Sequence, residues 1–243
     1  MGFSFRHLPA EHPALDESKL LDAFCKTIDY AGDNCGIGLT KTNAFNRKFC
    51  HWAASNFNWP EYSADELYRL NKVLNEEDVP PVDAIHEAAV FMKLGRHIRG
   101  QWQFNKTAKL LRTDRGKFLR ELFRIWVLQF PHYAMTRMAE PCPGNWDIFI
   151  NIIDVEADRG LVDDDLLRFL YGYEIEGAGS NEYWKHSSFV SNCILKPFAW
   201  LGLLEKSNGP ERFQATYRKT SLWAAALTTD RDLMAMPVAA NDQ

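Results

Sequence analysis

Apolar residues recur along much of this chain with the spacing of an α-helix. The clearest case is the segment from Pro80 to Gly95, where one helical face is apolar and the prolines are confined to the start. The residues predicted on that face are Ile85, Ala88, Ala89, Phe91 and Met92. We expect this helix to be stopped by Gly95, since glycine commonly ends helices.

A second apolar segment of the same kind begins at Ser188 and runs toward Gly202. Pro197 lies inside it and is expected to kink or split the helix, because proline lacks a backbone donor and clashes with the preceding turn. Further helices are predicted over residues 17–30, 116–130, 146–157 and 163–171, and Ser63 with Glu66 forms a capping box that starts another. Residues 1–15 are interpreted as a loose arm.

One short phrase occurs three times, each time where an extended segment is expected to end and a helix to begin. It contains Lys-Thr between two apolar positions. The copies are Leu39–Phe45, Phe104–Leu110 and Tyr217–Trp223. Threonine is a good helix N-cap, so we expect Thr at the cap position of each following helix. The uneven spacing of the copies indicates reuse of a local module rather than a solenoid.

The second and third copies share a wider order of elements. A helix is followed by glycine, a strand, a turn, a second strand, Lys-Thr and another helix, with turns at Arg99-Gly100 and at residues 207–210. This is the back half of a winged helix-turn-helix. We therefore predict a mainly α protein of winged helix-turn-helix-like units, helices with short β-hairpin wings, in two halves packed together. The predicted regions are residues 16–113 and 114–230.

Two stretches, Leu39–Phe49 and Asn71–Pro81, resemble an uncharacterised bacterial family named after an open reading frame of a root-inducing plasmid. The resemblance covers roughly residues 36–227. It implies a fold with winged-helix-like repeats and brings no catalytic residues. This chain has Asn43, Ala108 and Ser221 where the family pattern has a wing glycine.

Composition narrows the classes of protein that remain. The chain has 243 residues, 46% of them hydrophobic, and no apolar run approaches the roughly 18–20 residues of a membrane span. Five cysteines, an odd number without a Cys-x-x-Cys pair, argue against a disulfide framework or a zinc module. We expect a cytoplasmic protein with buried free thiols and no membrane partner.

Charge is segregated along the chain, although the formal net charge is only −4. Residues 93–124 contain ten Lys or Arg against two acidic residues, a local balance of +8. Residues 140–182 contain eleven acidic residues against two arginines, a local balance of −9. The basic stretch coincides with the second predicted wing, where a winged protein would meet phosphates.

These observations favour a nucleic-acid-associated or regulatory protein that contacts the phosphates of double-stranded DNA. The residues expected to bind phosphates are Arg96, Arg99, Lys106, Lys109 and Arg112. Trp102 is expected at the hairpin tip as a stacking surface. The outward positions of the preceding helix are predicted to be Asp83, His86 and Glu87, which favours phosphate contact over base reading.

The alternative is a non-enzymatic scaffold for protein interaction or self-assembly, in which the winged units are packing surfaces and the +8 and −9 segments meet in trans. No catalytic motif is recognisable, so we expect no enzyme activity; the third hypothesis is an enzyme whose site carries no recognisable motif. His86-Glu87 lacks the second histidine of a metalloprotease, and the seven histidines do not fall at metal-ligand spacings. We therefore predict no metal and no cofactor.

Overall fold

The computed structural model describes residues 2–135, 144–173, 180–208 and 215–235. The chain divides into two compact units. The first unit is Pro9–Trp126, and the second unit is Met1–Leu8 together with Val127–Gln243. Within the described ranges, no helix is both long and apolar enough to cross a membrane.

Both units are mainly helical and carry small antiparallel sheets. The helices of the first unit are α1 (Lys19–Asp33), α2 (Arg47–Asn56), α3 (Ala64–Leu70), α4 (Pro80–Phe91), α5 (Lys106–Thr113) and α6 (Arg115–Leu122). Those of the second are α7 (Trp146–Glu156), α8 (Asp163–Tyr171), α9 (Asn181–Phe189), α10 (Lys196–Trp200), α11 (Ser221–Ala226) and α12 (Asp230–Ala235). The strands are β1 (Phe3–Phe5), β2 (Ile37–Gly38), β3 (Gly95–Ile98), β4 (Gln101–Phe104), β5 (Leu161–Val162), β6 (Leu204–Asn208), β7 (Ala215–Lys219) and β8 (Leu227–Thr229).

The first unit packs α1 against the later helices and the sheet. The ring of Phe118 in α6 meets the edge of Phe24 in α1, with centroids 5.2 Å apart, and both side chains are fully buried. This packing places α6 in the first unit, which ends at Trp126. Strand order in the sheet of this unit is β2-β4-β3.

The second unit has the same strand order, β5-β7-β6, in its own three-stranded sheet. Its core lies between α7, α10 and α11, where the ring of Phe198 contacts Trp146 and Trp223 at centroid distances of 5.7 and 5.9 Å. A π-helical segment, Val190–Leu195, separates α9 from α10, and Pro197 is the second residue of α10. Helical backbone continues from α9 through this segment into α10, and the change from α- to π-helical hydrogen bonding lies just before Pro197, the residue predicted to kink or split the helix.

Residues 1–15 were expected to be a loose arm, and this prediction is wrong. Phe3 to Phe5 form β1, which pairs with β8 in the register Phe3 to Thr229. Asn151 in α7 donates a side-chain hydrogen bond to the carbonyl of Gly2 at 2.9 Å. A 3-10 helix, Pro13–Glu17, then precedes α1. Pairing with a strand more than 220 residues away thus orders residues 3–5, and a partner so distant along the chain cannot be recognised from the local sequence.

The cap prediction for the three Lys-Thr phrases holds in one case. Thr220 caps α11, because its hydroxyl accepts from the backbone N–H of Leu222 and Trp223. In the other two copies an asparagine caps instead: Asn46 for α2 and Asn105 for α5. Asparagine caps a helix at least as well as threonine, and in these two copies an asparagine directly precedes the first residue of the helix.

The helix α4 also ends earlier than predicted. Its last residue is Phe91, and Lys93 then adopts a left-handed φ of 54°, so Gly95 begins β3 and does not stop the helix. Ile85, Ala88 and Ala89 are buried as expected, whereas Phe91 is 43% exposed. The predicted turn at residues 207–210 lies partly outside the described residues.

Candidate nucleic-acid interface

The β3–β4 hairpin presents two of the predicted phosphate-binding residues. Arg96 on β3 pairs in register with Gln103 on β4, and its side chain is exposed. Arg99 and Gly100 form the connecting turn with φ values of 49° and 75°. Two successive left-handed residues are typical of the primed turns that close two-residue hairpins. The turn therefore holds the exposed Arg99 at the tip of the hairpin.

The start of α5 lies beside the base of this hairpin. Asn105 accepts from the N–H of Ala108 at 3.0 Å and donates its side-chain N–H to the carbonyl of Lys93 at 2.7 Å. This one side chain therefore caps α5 and joins it to Lys93, two residues before β3. Lys106 and Lys109 follow on α5, and both are exposed.

Five cations share this region: Lys93, Arg96, Arg99, Lys106 and Lys109. In the described part of the chain, none of them has a carboxylate within ion-pair distance. Lys93 was counted in the basic stretch but not named as a site residue. Its place next to Asn105 brings it into the same cationic surface, which we call the hairpin surface.

Arg112 differs from the other predicted phosphate ligands because it already has an anionic partner. Its guanidinium donates from Nε to Asp29 Oδ1 at 2.9 Å and from Nη2 to Asp29 Oδ2 at 2.8 Å. This two-point hydrogen bond raises the pKa of Arg112 above its ordinary value. Arg115 is similarly bound to Asp16 at 2.7 Å. These pairs reduce the part of the +8 segment that is open to phosphates.

Trp102 is not a stacking surface at the hairpin tip, and this prediction is wrong. It lies on β4 opposite His97 and is 2% exposed. Phe104 meets it edge-on at a centroid distance of 6.0 Å, and Gly95 lies directly against its indole ring. An indole covered in this way fills the core and cannot accept a base on its face.

His86 was expected to face solvent, and this prediction is also wrong. The side chain is buried on α4, stacked on the ring of Phe45 at a centroid distance of 4.0 Å and 12°. Its Nδ1 lies 2.9 Å from Glu76 Oε2, in a pair that is itself almost fully covered. The spacing of apolar residues does not place His86 in the core, because the buried face of α4 is wider than its stripe of apolar residues.

The exposed side of α4 remains acidic and apolar. Glu87 is exposed, and burial raises the pKa of Asp83, with smaller contributions from the charges of Glu76 and Glu87. Val90 and Phe91 are 48% and 43% exposed. Apolar groups make no hydrogen bonds to base edges, and a carboxylate can accept one from a base amino group but is repelled by the phosphates, as the sequence had indicated.

In the second unit, the Lys-Thr phrase serves the core instead of a surface. Lys219 Nζ lies 2.8 Å from Asp154 Oδ1 and 2.6 Å from Asp158 Oδ1. Asp154 also accepts from Trp223 Nε1 and Thr229 Oγ1. Sequence reasoning missed this network, since its members come from α7, β7, α11 and β8. Among the described residues, no group of three or more His, Cys, Asp or Glu side chains could hold a metal ion.

Comparisons with known proteins identify two family domains in the chain. The Y4jL N-terminal domain matches residues 16–117, and the y4jL C-terminal domain matches residues 136–221. The uncharacterised protein y4jL of Sinorhizobium fredii (strain NBRC 101917 / NGR234) is 34% identical over 166 residues, which covers 65% of this chain and 72% of that protein. No solved structure matches. The chain therefore belongs to the uncharacterised bacterial family of y4jL.

Proposed function

We propose that this protein is nucleic-acid-associated and that its first unit contacts the phosphate backbone of double-stranded DNA through the hairpin surface. The observation that carries the proposal is the concentration of Lys93, Arg96, Arg99, Lys106 and Lys109 on one hairpin and the adjoining helix start, without carboxylate partners among the described residues. Exposed cations gathered in this way are the usual electrostatic footprint of phosphate binding.

The order of elements supports a winged helix-turn-helix assignment for each unit. In the first unit, α1, β2, α2 with α3, α4 and the β3–β4 hairpin follow one another, with strand order β2-β4-β3. The second unit repeats this order with α7, β5, α8, the α9–α10 segment and the β6–β7 hairpin. With α2 and α3 counted as one helical segment, each unit has a helix, a strand, two helical segments and a hairpin whose second strand lies central in the sheet, which is the winged-helix arrangement. In that arrangement the β3–β4 hairpin is the wing.

The exposed side chains of α4 decide whether the proposed DNA contact includes base reading or only phosphate contact. In a winged helix-turn-helix, α4 would be the recognition helix, but its exposed groups include Glu87, Val90 and Phe91. The carboxylate is repelled by the phosphates, and apolar side chains contact only the thymine methyl among the base edges. We therefore assign to this protein contact with phosphates through the wing, without base-specific reading by α4.

The experiment is a fluorescence-anisotropy titration of a generic labelled duplex at several salt concentrations, with wild type and an Arg99→Glu/Lys106→Glu variant. We expect micromolar binding whose affinity falls steeply with salt, and loss of binding in the variant. The matched control is Arg159→Glu/Lys185→Glu, which reverses one exposed Arg and one exposed Lys of the second unit and so changes net charge equally. Equal losses in both variants, or no binding by wild type at low salt, would refute the proposal.

The second candidate function is a protein-interaction scaffold, favoured by the exposed apolar pair Val90 and Phe91 on α4. The version of this hypothesis in which the +8 and −9 segments meet in trans is weakened by ion pairs within the second unit. Asp154 and Asp158 belong to the acidic segment, but Lys219 and Arg231 already bind them. Light scattering on the titration samples separates the two functions, since a stable oligomer that does not bind the duplex would favour the scaffold.

A further inference from the structure

A cavity of about 200 Å³ lies in the first unit between the end of α1, strand β4 and helix α5. Its walls include Ile28, Ala31 and Gly32 from α1, Gln103 and Phe104 from β4, and Lys109 from α5. Drug-sized ligands usually occupy pockets of about 300–1,000 Å³, so an occupant here must be smaller. An apolar cavity of about 150 Å³ is large enough for benzene, so a single aromatic ring fits the volume.

The walls divide into an apolar part and a polar part. Ile28, Ala31 and Phe104 are buried apolar residues that offer a surface for a ring. Lys109 is the charged residue among the described residues that line the cavity, and no described carboxylate pairs with it. The side-chain amide of Gln103 is near the same wall and, among the described residues, donates a long hydrogen bond of 3.4 Å to the carbonyl of Cys35. An apolar floor beside a lysine and an amide suits a ligand with a ring and an anionic group.

We propose that this cavity binds a small aromatic carboxylate, with the ring against Ile28 and Phe104 and the carboxylate bonded to Lys109 Nζ. A lysine ammonium and a carboxylate form a charge-assisted hydrogen bond, which is about twice as strong as one between neutral groups. The proposal goes beyond the nucleic-acid function, since it concerns a small ligand whose site shares only Lys109 with the hairpin surface, and its test contains no nucleic acid.

The test is an NMR titration of the whole ¹⁵N-labelled chain with benzoate, and in parallel with benzamide. Benzamide has nearly the same shape but no charge. We expect saturable shifts of the Gly32 and Gly36 amides and of the Gln103 side-chain amide with benzoate, at a dissociation constant in the millimolar range or below. Benzamide is expected to bind about tenfold more weakly, because it lacks the charged partner for Lys109.

Gly32 lines the cavity, so a larger side chain at this position is expected to occupy part of the volume. It lies within α1, and a Cβ placed on it meets no atom within 4 Å, so a larger side chain enters open space without backbone strain. Gly32→Leu is expected to abolish the benzoate shifts, whereas Gly32→Ala, which adds only the Cβ, retains them. Lys109→Met keeps the length of the side chain and is expected to remove the preference for benzoate over benzamide.

Each outcome bears directly on the proposal. Absence of saturable shifts with benzoate overturns it, and so does equal binding of benzoate by wild type and Gly32→Leu. Equal affinity for benzoate and benzamide overturns the assignment of Lys109 as the anion partner. Because the duplex is absent throughout, failure here leaves the nucleic-acid proposal to its own experiment. Circular dichroism of each variant establishes that the shifts are compared between folded proteins.

Discussion

Lys219 and Asp154 form a mostly buried ion pair, with Nζ 2.8 Å from Oδ1 and the two side chains 18% and 5% exposed. Lys219 also donates to the backbone carbonyl of Asp154 at 2.7 Å. The pair connects the last residue of β7 to α7 in the second unit. Lys219 belongs to the third Lys-Thr phrase, so the same local sequence that exposes Lys106 in the first unit buries its lysine here. Tertiary surroundings, and not the phrase, determine the role of the lysine.

Replacing Lys219 with methionine is expected to lower the free energy of unfolding of the second unit by about 3 kcal/mol, because Asp154 would keep a buried charge without its cation. Chemical denaturation measures the loss. Hydrogen exchange followed by mass spectrometry should place the increased exchange in α7, β7 and α11.

The control for this prediction is Lys185→Met, which removes an exposed lysine of the same unit and should change the free energy of unfolding by less than about 0.5 kcal/mol. In the Asp154→Asn background the loss on adding Lys219→Met should be smaller, since no buried charge remains. Equal losses in the two backgrounds would show that the ion pair does not stabilise the fold.

Gly95 is required for space and not for backbone freedom. Its φ is not in the left-handed region, but a Cβ there would come within 2.6 Å of two ring carbons of Trp102 and 2.7 Å of the carbonyl oxygen of Gln103. Gly95→Ala must therefore displace β4 or the indole ring, and we expect a loss of about 1–3 kcal/mol in the first unit. Thermal unfolding followed by circular dichroism measures it.

Gly32→Ala is the matched control, because the same atom enters open space in the last turn of α1. Alanine is favoured over glycine inside a helix by about 1 kcal/mol and by less in the last turn, so this variant should be at least as stable as wild type. If both substitutions shifted the melting temperature in the same direction, the close approach of Trp102 to Gly95 would not be the cause.

Much of the helical framework could be predicted from periodicity and capping residues, as α7, α8 and the Ser63 cap of α3 show. These signals are local, and local patterns can be read from one sequence. The errors concern partners that are distant along the chain. His86 was predicted to be exposed, but Phe45 and Glu76, which are distant along the chain, bury it. Trp102 was predicted to be exposed because the side chain of a hairpin residue can face either side of the sheet, and here it faces the core.

In the candidate site, too, local features could be predicted and contacts between distant residues could not. Exposure of Arg96, Arg99, Lys106 and Lys109 follows from their place on a hairpin and the start of a helix. Capture of Arg112 by Asp29 joins residues of α5 and α1, and no spacing rule connects them. Sequence reasoning therefore located the basic surface but could not tell which cations were already paired.

Asp83 is expected to make the stability of the first unit depend on pH. Burial raises the pKa of its carboxyl, Glu76 and Glu87 raise it further, and His86 opposes them. The folded protein thus holds this proton more tightly than the unfolded chain. The resulting stabilisation is complete below the unfolded pKa and is lost as pH rises through the raised folded pKa.

Asp83→Asn should remove this loss, so its free energy of unfolding should fall less than that of wild type as pH rises. Urea denaturation over roughly pH 3.5 to 7, where carboxyls titrate, measures the difference. Asp33→Asn removes an exposed carboxylate from the same unit and controls for the change in net charge. If the two variants gave the same pH profile, the burial of Asp83 would have no part in the effect.

The pairing of Arg112 with Asp29 predicts a gain of function on removal of the acid. Asp29→Asn frees a guanidinium on α5, the helix that carries Lys106 and Lys109. If the hairpin surface binds phosphates, a freed Arg112 should add one contact, so duplex affinity should rise and the slope of log affinity against log salt should steepen by about 1.

The same anisotropy titration distinguishes this mechanism from a general change in charge. Asp33→Asn, on the last turn of the same helix α1, alters net charge equally but frees no arginine, and should leave the salt slope unchanged. In Asp29→Asn/Arg112→Gln the added affinity should disappear, because the second change removes the freed cation. An identical slope for Asp29→Asn and Asp33→Asn would place Arg112 outside the phosphate contact and confine the interface to the hairpin and the first turn of α5.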